Sequence, residues 1–484
     1  MADIILVQPK VGTLDELKSA PGLPLSLLST VKFAAKDFKI KIIDERLDKN
    51  WRETLKKELK KNPIVVGTTA VLGPQIRYAL EISQFIKQNS NVPVVWGGSH
   101  ASTLPLQTIK NENIDIIVKG DGEITFYELA KALKAKKSLE NVNGIIFKKN
   151  SEIIQTKPRE LVDLNKMPDV PYELINVNDY LPKIMGVPAI LMETARGCAY
   201  RCTFCYNPFF NQGRWRSIKP EIILERAAKV KNKYNIKGIW FIDDEFFIDL
   251  ERAKKIIKGL KKMNISWTVQ GATIASGLKM DENYLRILEE SGCAQLNFGV
   301  ESGSSKVLKK INKALTVDDV LEVNRKFAKY KIIPWYYFVI GFPGETELDR
   351  KKTIALILRL LRENPNAKIS PIACFTPYPG TQIFEESKKY GFKPPEKLID
   401  WAGYATENVN VPWLSGGIKE EIRMIQFASF FIDQKARDVV GATWIKFLAN
   451  LYRPIARFRL KNNFYAFPLD AMIGFWLKDR IVYD

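Results

Sequence analysis

Short apolar runs alternate with helical stretches from the start of the chain: "IILVQP", "IKIIDE", "IVVGTTA", "VPVVWGG" and "IDIIVKG", each stopping near Gly, Pro, Thr or an acid. A strand covered on both faces reads as a continuous apolar run, so this pattern predicts an α/β domain with a parallel sheet over about residues 1–140. The stretch "GIIFKKNSEIIQTKPRELVDLNKMPDVPY" pairs two short strands across "KKNSE" and then turns irregular around Pro158, Pro168 and Pro171, which reads as a linker over about 141–185. A second alternation follows: "PAILMETA", "GIWFIDDEF", "SWTVQGAT", "AQLNFGVES", "YYFVIGF" and "KISPIACFTP". Six βα units predict a partial (β/α)6 barrel over about 186–400, with its chemistry at the carboxyl ends of the strands. From about 401 to 484 the pattern changes to helices rich in aromatic residues and Arg.

Length agrees with several domains, because 484 residues exceed the roughly 250–300 that one core serves. The order of the first five strands and helices suits a flavodoxin-like domain. At 46% hydrophobic and 26% charged the chain is globular, and no apolar run nears the roughly 18 residues of a membrane span. "MADIILVQPK" enters a strand at once, without a basic region and cleavage site, so the expected location is cytoplasmic, extending to the inner membrane surface. A net charge of +20 calls for an acidic partner: nucleic acid, anionic headgroups or a phosphorylated substrate. Abundant Lys, Ile and Glu beside a single histidine match thermophile composition.

Three of the five cysteines stand together in "RGCAYRCTFCYN": Cys198, Cys202 and Cys205, directly behind a strand. Such a cluster points to metal or redox chemistry rather than a disulfide framework. A closed zinc site takes four ligands, and the lone histidine, His100, lies about a hundred residues upstream. An iron–sulfur cube also usually takes four, so three thiolates leave one iron open. Buried structural cysteines are the alternative, and they are the default reading of Cys293 and Cys374 in their apolar strands. Other strand ends carry polar groups or glycines: Asp243, Asp244 and Glu245 in "FIDDEFF", Glu301 and Ser302 in "FGVESGS", Gly341 and Gly344 in "VIGFPGET", Tyr378 and Gly380 in "FTPYPGT". The three acids are equally compatible with a solvated turn, and Gly341 and Gly344 with a plain one.

Cys198, Cys202 and Cys205, with Tyr206 behind them, resemble the signature of the radical SAM superfamily, and the resemblance extends over about residues 186–395. It implies a 4Fe-4S cluster whose open iron binds S-adenosylmethionine and, once reduced, cleaves it to a 5′-deoxyadenosyl radical. It also implies Tyr206 beside the cosubstrate, the acids Asp243, Asp244 and Glu245 near the methionyl ammonium, Glu301 and Ser302 on the ribose and carboxylate, and Gly341 and Gly344 beside the adenine. An electron donor such as ferredoxin or flavodoxin is implied too. "FTPYPGT" resembles the sixth strand end of members with an N-terminal cobalamin domain, which makes Tyr378 a catalytic candidate. Cys374, near a strand end expected to face the barrel interior, is the candidate hydrogen donor.

"VWGGSHASTLPL" and "IDIIVKGDGEITFYELAKAL" resemble the cobalamin-binding domain of the same enzymes. Gly97 and Gly98 would admit a flat macrocycle beside His100, and Gly120, Asp121, Gly122 and Glu123 would form a second loop against it. The Asp-x-His-x-x-Gly pattern is absent, so cobalamin would lack a histidine from below; an ordinary doubly wound domain without cofactor is the alternative. The basic, aromatic stretch from 441 to 480 suits a helical cap on the barrel, a membrane-interface helix or a nucleic-acid surface. No nucleic acid is expected, because residues 1–197 hold no cysteine whereas tRNA methylthiotransferases of the superfamily carry a second cluster there.

The resemblance runs furthest towards the archaeal tetraether-lipid ring synthases. The activity expected on that basis is hydrogen abstraction from an unactivated carbon of a lipid chain, followed by carbon–carbon bond formation, with contact to the membrane surface. Three rivals stand beside it: a cobalamin-dependent radical SAM C-methyltransferase acting on a lipid, metabolite or peptide, a non-catalytic cobalamin- or cluster-binding protein, and RNA modification, which the missing N-terminal cysteines demote.

Overall fold

The structure is a computed structural model that describes residues 2–12, 15, 20–184, 186–405, 411–433, 443–466 and 470. The chain divides into two units, one of Met1–Asp15, Ala20–Leu181 and Pro394–Ala405, the other of Glu16–Ser19, Pro182–Lys393 and Thr406–Asp484.

The first unit is built on β1 (Ile4–Gln8), β2 (Ile40–Asp44), β3 (Val65–Thr69), β4 (Val94–Gly97) and β5 (Ile116–Val118), followed by β6 (Ile145–Lys149) and β7 (Glu152–Gln155). The sheet order is β2-β1-β3-β4-β5-β6-β7, parallel through β5, with β6 and β7 antiparallel. Every residue of β1, β3 and β5 is buried, which is why these strands read as unbroken apolar runs. The "KKNSE" hairpin turns at Asn150 and Ser151, both with positive φ (47° and 69°), as a two-residue turn matching strand twist requires.

The stretch expected as a linker is instead part of this unit as far as Leu181. Its Val162, Leu164, Met167, Tyr172, Val177 and Tyr180 are buried, so the segment is a strap that hides apolar side chains, and its prolines mark bends. Arg46, ion-paired to Asp44 at 2.6 Å, lies over the Tyr180 ring at 5.9 Å. Pro394–Ala405 also belongs here: the Gln107 amide donates to the carbonyls of Pro395 and Glu396 (2.8 and 2.9 Å), and Trp401 Nε1 donates to Gln107 Oε1 at 2.7 Å.

In the second unit, β8 (Lys183–Ile184) pairs antiparallel with β9 (Val187–Met192), and the small pair β10 (Ala195–Arg196) and β11 (Arg216–Ser217) stands apart. The parallel core continues through β12 (Gly238–Phe241), β13 (Ser266–Ala272), β14 (Cys293–Glu301), β15 (Ile333–Ile340) and β16 (Lys368–Ile369), in the order β16-β15-β14-β13-β12-β9-β8, with β17 (Ala373–Cys374) also beside β15. These are the six strands expected of the partial barrel. Along β15, Pro334, Tyr336, Phe338 and Ile340 are buried under the helix layer, where Tyr336 Oη donates to Asn324 at 3.1 Å, while Ile333, Trp335, Tyr337 and Val339 are partly open. Each fully buried large side chain contributes about 1.5–3 kcal/mol. Several helices of this unit start at side-chain caps, with reciprocal capping boxes at Thr316–Asp319 and Thr346–Asp349.

Helices Gly417–Ser429 and Thr443–Asn462 follow the barrel, and the second exposes Phe447, Leu448, Leu451, Ile455 and Phe458 along one face. Of the stretch from 441 to 480, residues 441–442, 467–469 and 471–480 lie outside the described residues. Among the described residues no helix is long and apolar enough to cross a membrane.

Candidate active site

The cysteine loop runs from the end of β10 into the short helix Asn207–Phe210. A turn closes it, with Cys205 N donating to Cys202 O at 3.2 Å, and Asn207 N points at Cys205 Sγ at 3.4 Å. Three segments clamp the loop. At its start, Gly197 N donates to Asp244 Oδ2 at 3.0 Å. At its middle, Thr203 N donates to Ile311 O at 3.0 Å, Asn312 Nδ2 to Arg201 O at 2.8 Å, and Ile383 N to Thr203 O at 3.0 Å. Phe204 between them packs on Phe342 (ring centroids 5.8 Å apart) in a core with Val307, Leu308, Ile311 and Phe375.

The donor set fits an iron–sulfur cube. All three thiols are partly buried, and Cys205 lies within electrostatic reach of both Cys198 and Cys202. Burial pushes Cys198 up to about 11 and Cys205 up to about 12, and raises Cys202, so without metal all three are protonated at neutral pH. Among the described residues no three His, Cys, Asp or Glu side chains close on one point as a single zinc ion demands; thiolates that each bind a different iron must stand apart.

The three adjacent acids beyond β12 divide into separate roles. Asp243 is buried and accepts from Thr194 N at 2.6 Å and from Thr194 Oγ1, tying the ends of β9 and β12; burial nevertheless raises its carboxyl to about 7. Asp244 holds Gly197. Glu245 is 1% exposed; its Oε1 accepts from Phe247 N at 2.9 Å, whereas Oε2 is buried without a hydrogen-bond partner. Burial pushes Glu245 up to about 8. An orphaned carboxylate oxygen within the field of Cys198 suits a cationic ligand such as the methionyl ammonium. Gly271 makes the acid loop possible, since a Cβ there would lie 2.1 Å from Asp244 O.

Glu301 closes β14 in the left-handed region (φ 72°), with its Oε1 paired to Lys313 Nζ at 2.9 Å. Ser302 is buried in a turn: its hydroxyl bonds Thr353 Oγ1 at 3.1 Å and accepts from Ser304 N at 3.1 Å. Gly341 and Gly344 have φ of 86° and 75°. Gly341 N donates to Glu345, a half-buried acid absent from the sequence-level candidates, raised to about 8 by desolvation and with a buried, unpartnered Oε1. Its only sequence signal is an acid one residue beyond the second glycine of the turn. Tyr206 and Tyr378 come within electrostatic reach of each other, which places the sixth strand end beside the cysteine loop.

Cys374 does not face the barrel interior as expected. Register pairs it with Ile340, the buried side of β15, while Ala373 pairs with the partly open Val339. Its Sγ lies 3.3 Å from where a Gly341 Cβ would stand, in a pocket shared with Leu414 and with Ile422 of the helix Gly417–Ser429. The physical reason is strand alternation: one residue of register decides the face. Cys293 is buried as well.

In the first unit the candidates gather at the carboxyl edge of the sheet. Gly98 has φ 92°, and a Cβ there would lie 2.6 Å from Ala70 O and from Thr69 Oγ1, so only glycine fits. Gly120 (φ 70°) has nothing within 4 Å of its absent Cβ, Gly97 nothing nearer than Val118 O at 3.9 Å, and Gly120 N donates to Ser102 Oγ at 3.0 Å. Glu123 is buried in the first turn of Gly122–Lys134. His100 is buried near Trp401 (centroids 6.1 Å) with Nε2 unpartnered, and burial lowers it to about 4. Exposed Val11, Val71 and Leu106 stand beyond β1, β3 and β4. Open backbone flanked by apolar side chains fits a flat macrocycle.

Residues 192–357 match the model of the radical SAM superfamily, and residues 22–130 match that of the B12 binding domain. An uncharacterized methyltransferase of Pyrococcus horikoshii, PH0819, is 30% identical over 391 residues, covering 80% of this chain and 83% of its own. The chain belongs to the radical SAM superfamily, in a family that joins that domain to a B12-binding domain. It is an S-adenosylmethionine-dependent enzyme whose cofactors are a 4Fe-4S cluster, S-adenosylmethionine and cobalamin. The cytidylyl-2-hydroxyethylphosphonate methyltransferase of Streptomyces wedmorensis is 24% identical over 415 residues, covering 78% of this chain and 75% of its own. The fold resembles that of the cobalamin-dependent S-adenosylmethionine radical enzyme OxsB with aqua-cobalamin and S-adenosylmethionine bound (TM-score 0.72, 19% identity, 95% of this chain and 72% of the other).

These relatives overturn the expectation of lipid ring formation. Methyltransferases align across both domains of the chain, and the likeness to tetraether-lipid ring synthases finds no support among them. The expectation rested on a resemblance of architecture, which is a weak guide to the reaction.

Proposed function

We propose that this protein is a cobalamin-dependent radical SAM C-methyltransferase that replaces a hydrogen on an unactivated carbon of a small molecule with a methyl group. What carries the reading is that a methyltransferase relative matches four-fifths of the chain, both domains together. When bound, the cluster supplies the electron that cleaves S-adenosylmethionine, and cobalamin carries the methyl group. The chain's own residues position these partners. Asp244 and the turn at Ile311–Lys313 hold the cysteine loop, and Glu245 offers its unpartnered oxygen to the methionyl ammonium. Glu301, from the end of β14, and Tyr206 meet the cosubstrate, and Tyr378 borders the substrate. The net charge of +20 and the nucleotide phosphonate named for the Streptomyces relative favour an anionic small molecule. A one-electron donor of the ferredoxin or flavodoxin class completes the system.

The test is anaerobic incubation of the reconstituted, cobalamin-loaded protein with S-adenosyl-L-[methyl-14C]methionine, a reductant and a panel of phosphorylated and phosphonylated metabolites. Acid-stable label in a product, together with 5′-deoxyadenosine, supports methyl transfer. Deoxyadenosine formed with product but without label overturns it.

A further inference from the structure

Lys313 was not among the residues singled out in the sequence, yet the site converges on it. Its Nζ is 2.9 Å from Glu301 Oε1, with side chains only 15% and 9% exposed. The same ammonium lies 6.0 Å from the ring centroid of Phe204, the residue just before Cys205 in the loop. Its backbone belongs to the turn that clamps that loop: Ile311 O and Asn312 Nδ2 take the two bonds to Thr203 and Arg201, and Lys313 N donates to Leu308 O at 2.9 Å. Electrostatic attraction reaches from Lys313 to Cys202, Cys205 and Glu245.

Two further features show room made for this pair. A Cβ on Gly299 would lie 2.5 Å from Glu301 Oε1 and 3.0 Å from Lys313 Nζ. Glu301 itself adopts φ 72°, a left-handed conformation disfavoured for a non-glycine residue, while its carboxylate pairs with the lysine.

We propose that Lys313 is a positioning residue of the cluster site: its Glu301-held ammonium lies by the Cys202–Cys205 part of the loop and would raise the reduction potential of an iron–sulfur cluster held there. One-electron reduction takes the cube's oxidised state to one carrying one more negative charge. A fixed cation in a water-poor site stabilises the more negative state, so reduction becomes easier. Glu301 tempers the effect by neutralising part of that charge. The inference depends on the cluster and not on methyl transfer, and its test needs neither substrate nor S-adenosylmethionine.

The experiment is an anaerobic potentiometric titration of the reconstituted full chain with titanium(III) citrate, followed by the electron paramagnetic resonance signal of the reduced cluster. Iron and sulfide content are matched between samples. Lys313→Met is expected to move the midpoint to a more negative value, Lys313→Arg to keep it near that of the wild type, and Glu301→Gln to move it to a more positive one. A Lys313→Met protein with full cluster and an unchanged midpoint overturns the proposal. If that variant fails to hold a cluster, Glu301→Gln decides: an unchanged or more negative midpoint overturns it, and a positive shift supports it.

Discussion

The Gly197 amide donates to Asp244 Oδ2 at 3.0 Å, so an acid beyond β12 holds the residue that opens the cysteine loop. Gly197 (φ 92°) admits no side chain, because a Cβ would stand 2.0 Å from Arg214 O. The opening of the loop is therefore held by one backbone amide and one carboxylate far apart in sequence.

Asp244→Ala should remove that restraint at a cost of about 1–3 kcal/mol and lower the iron retained per chain, while Asp244→Asn keeps an acceptor and most of the iron. Urea midpoints and iron analysis of anaerobic preparations check this. Equal iron in the Ala and wild-type proteins would show that the bond does not hold the loop.

Alanine at Cys198, Cys202 or Cys205 should each abolish the cluster's absorption near the visible region and the reductive formation of 5′-deoxyadenosine. Alanine at Cys374 should preserve both, since that thiol packs under the helix layer, and should lower stability by about 1 kcal/mol. Sulfide analysis and deoxyadenosine yield separate the two groups. Loss of deoxyadenosine in a fully loaded Cys374→Ala protein would return that thiol to the reaction.

The two glycines at the edge of the first unit should respond differently. Gly98→Ala meets Ala70 O and Thr69 Oγ1 and should destabilise the domain by about 2 kcal/mol or more, losing cobalamin with the fold. Gly120→Ala points into open space and should weaken cobalamin binding with about 1 kcal/mol of backbone strain alone. Circular dichroism melts, paired with corrinoid titration, read both effects.

His100 imposes a pH dependence. Burial holds it at about 4 in the folded chain, below the ordinary 6.5, so the unfolded chain binds the extra proton first as pH falls. The stability it confers is complete above roughly pH 6.5 and is lost progressively towards pH 4, on the order of 3 kcal/mol at most. Urea midpoints between pH 7.5 and 4.5 should fall less steeply in His100→Gln. Parallel profiles would mean that other groups govern acid sensitivity.

Much of the fold was legible before any coordinates. Strands such as "IILVQ" and "IIV" declare a sheet covered on both faces because the local pattern and the burial coincide. The cysteine spacing and the strand-end acids and glycines are contiguous motifs, so one short window displays them. The strap up to Leu181 misled, because its prolines and irregular turns look like a linker while its buried Tyr172 and Tyr180 answer to the rest of the unit.

What the sequence by itself determined was the order of the elements and which side chains stand at strand ends, since both follow from local periodicity. Only the tertiary structure decided how Asp243, Asp244 and Glu245 divide their work, which face Cys374 takes, that Pro394–Ala405 rejoins the first unit, and that Lys313 meets Glu301. The reason is physical: hydrogen bonds and ion pairs between distant segments depend on register and burial, which arise when the strands pair and leave no periodic trace along the chain.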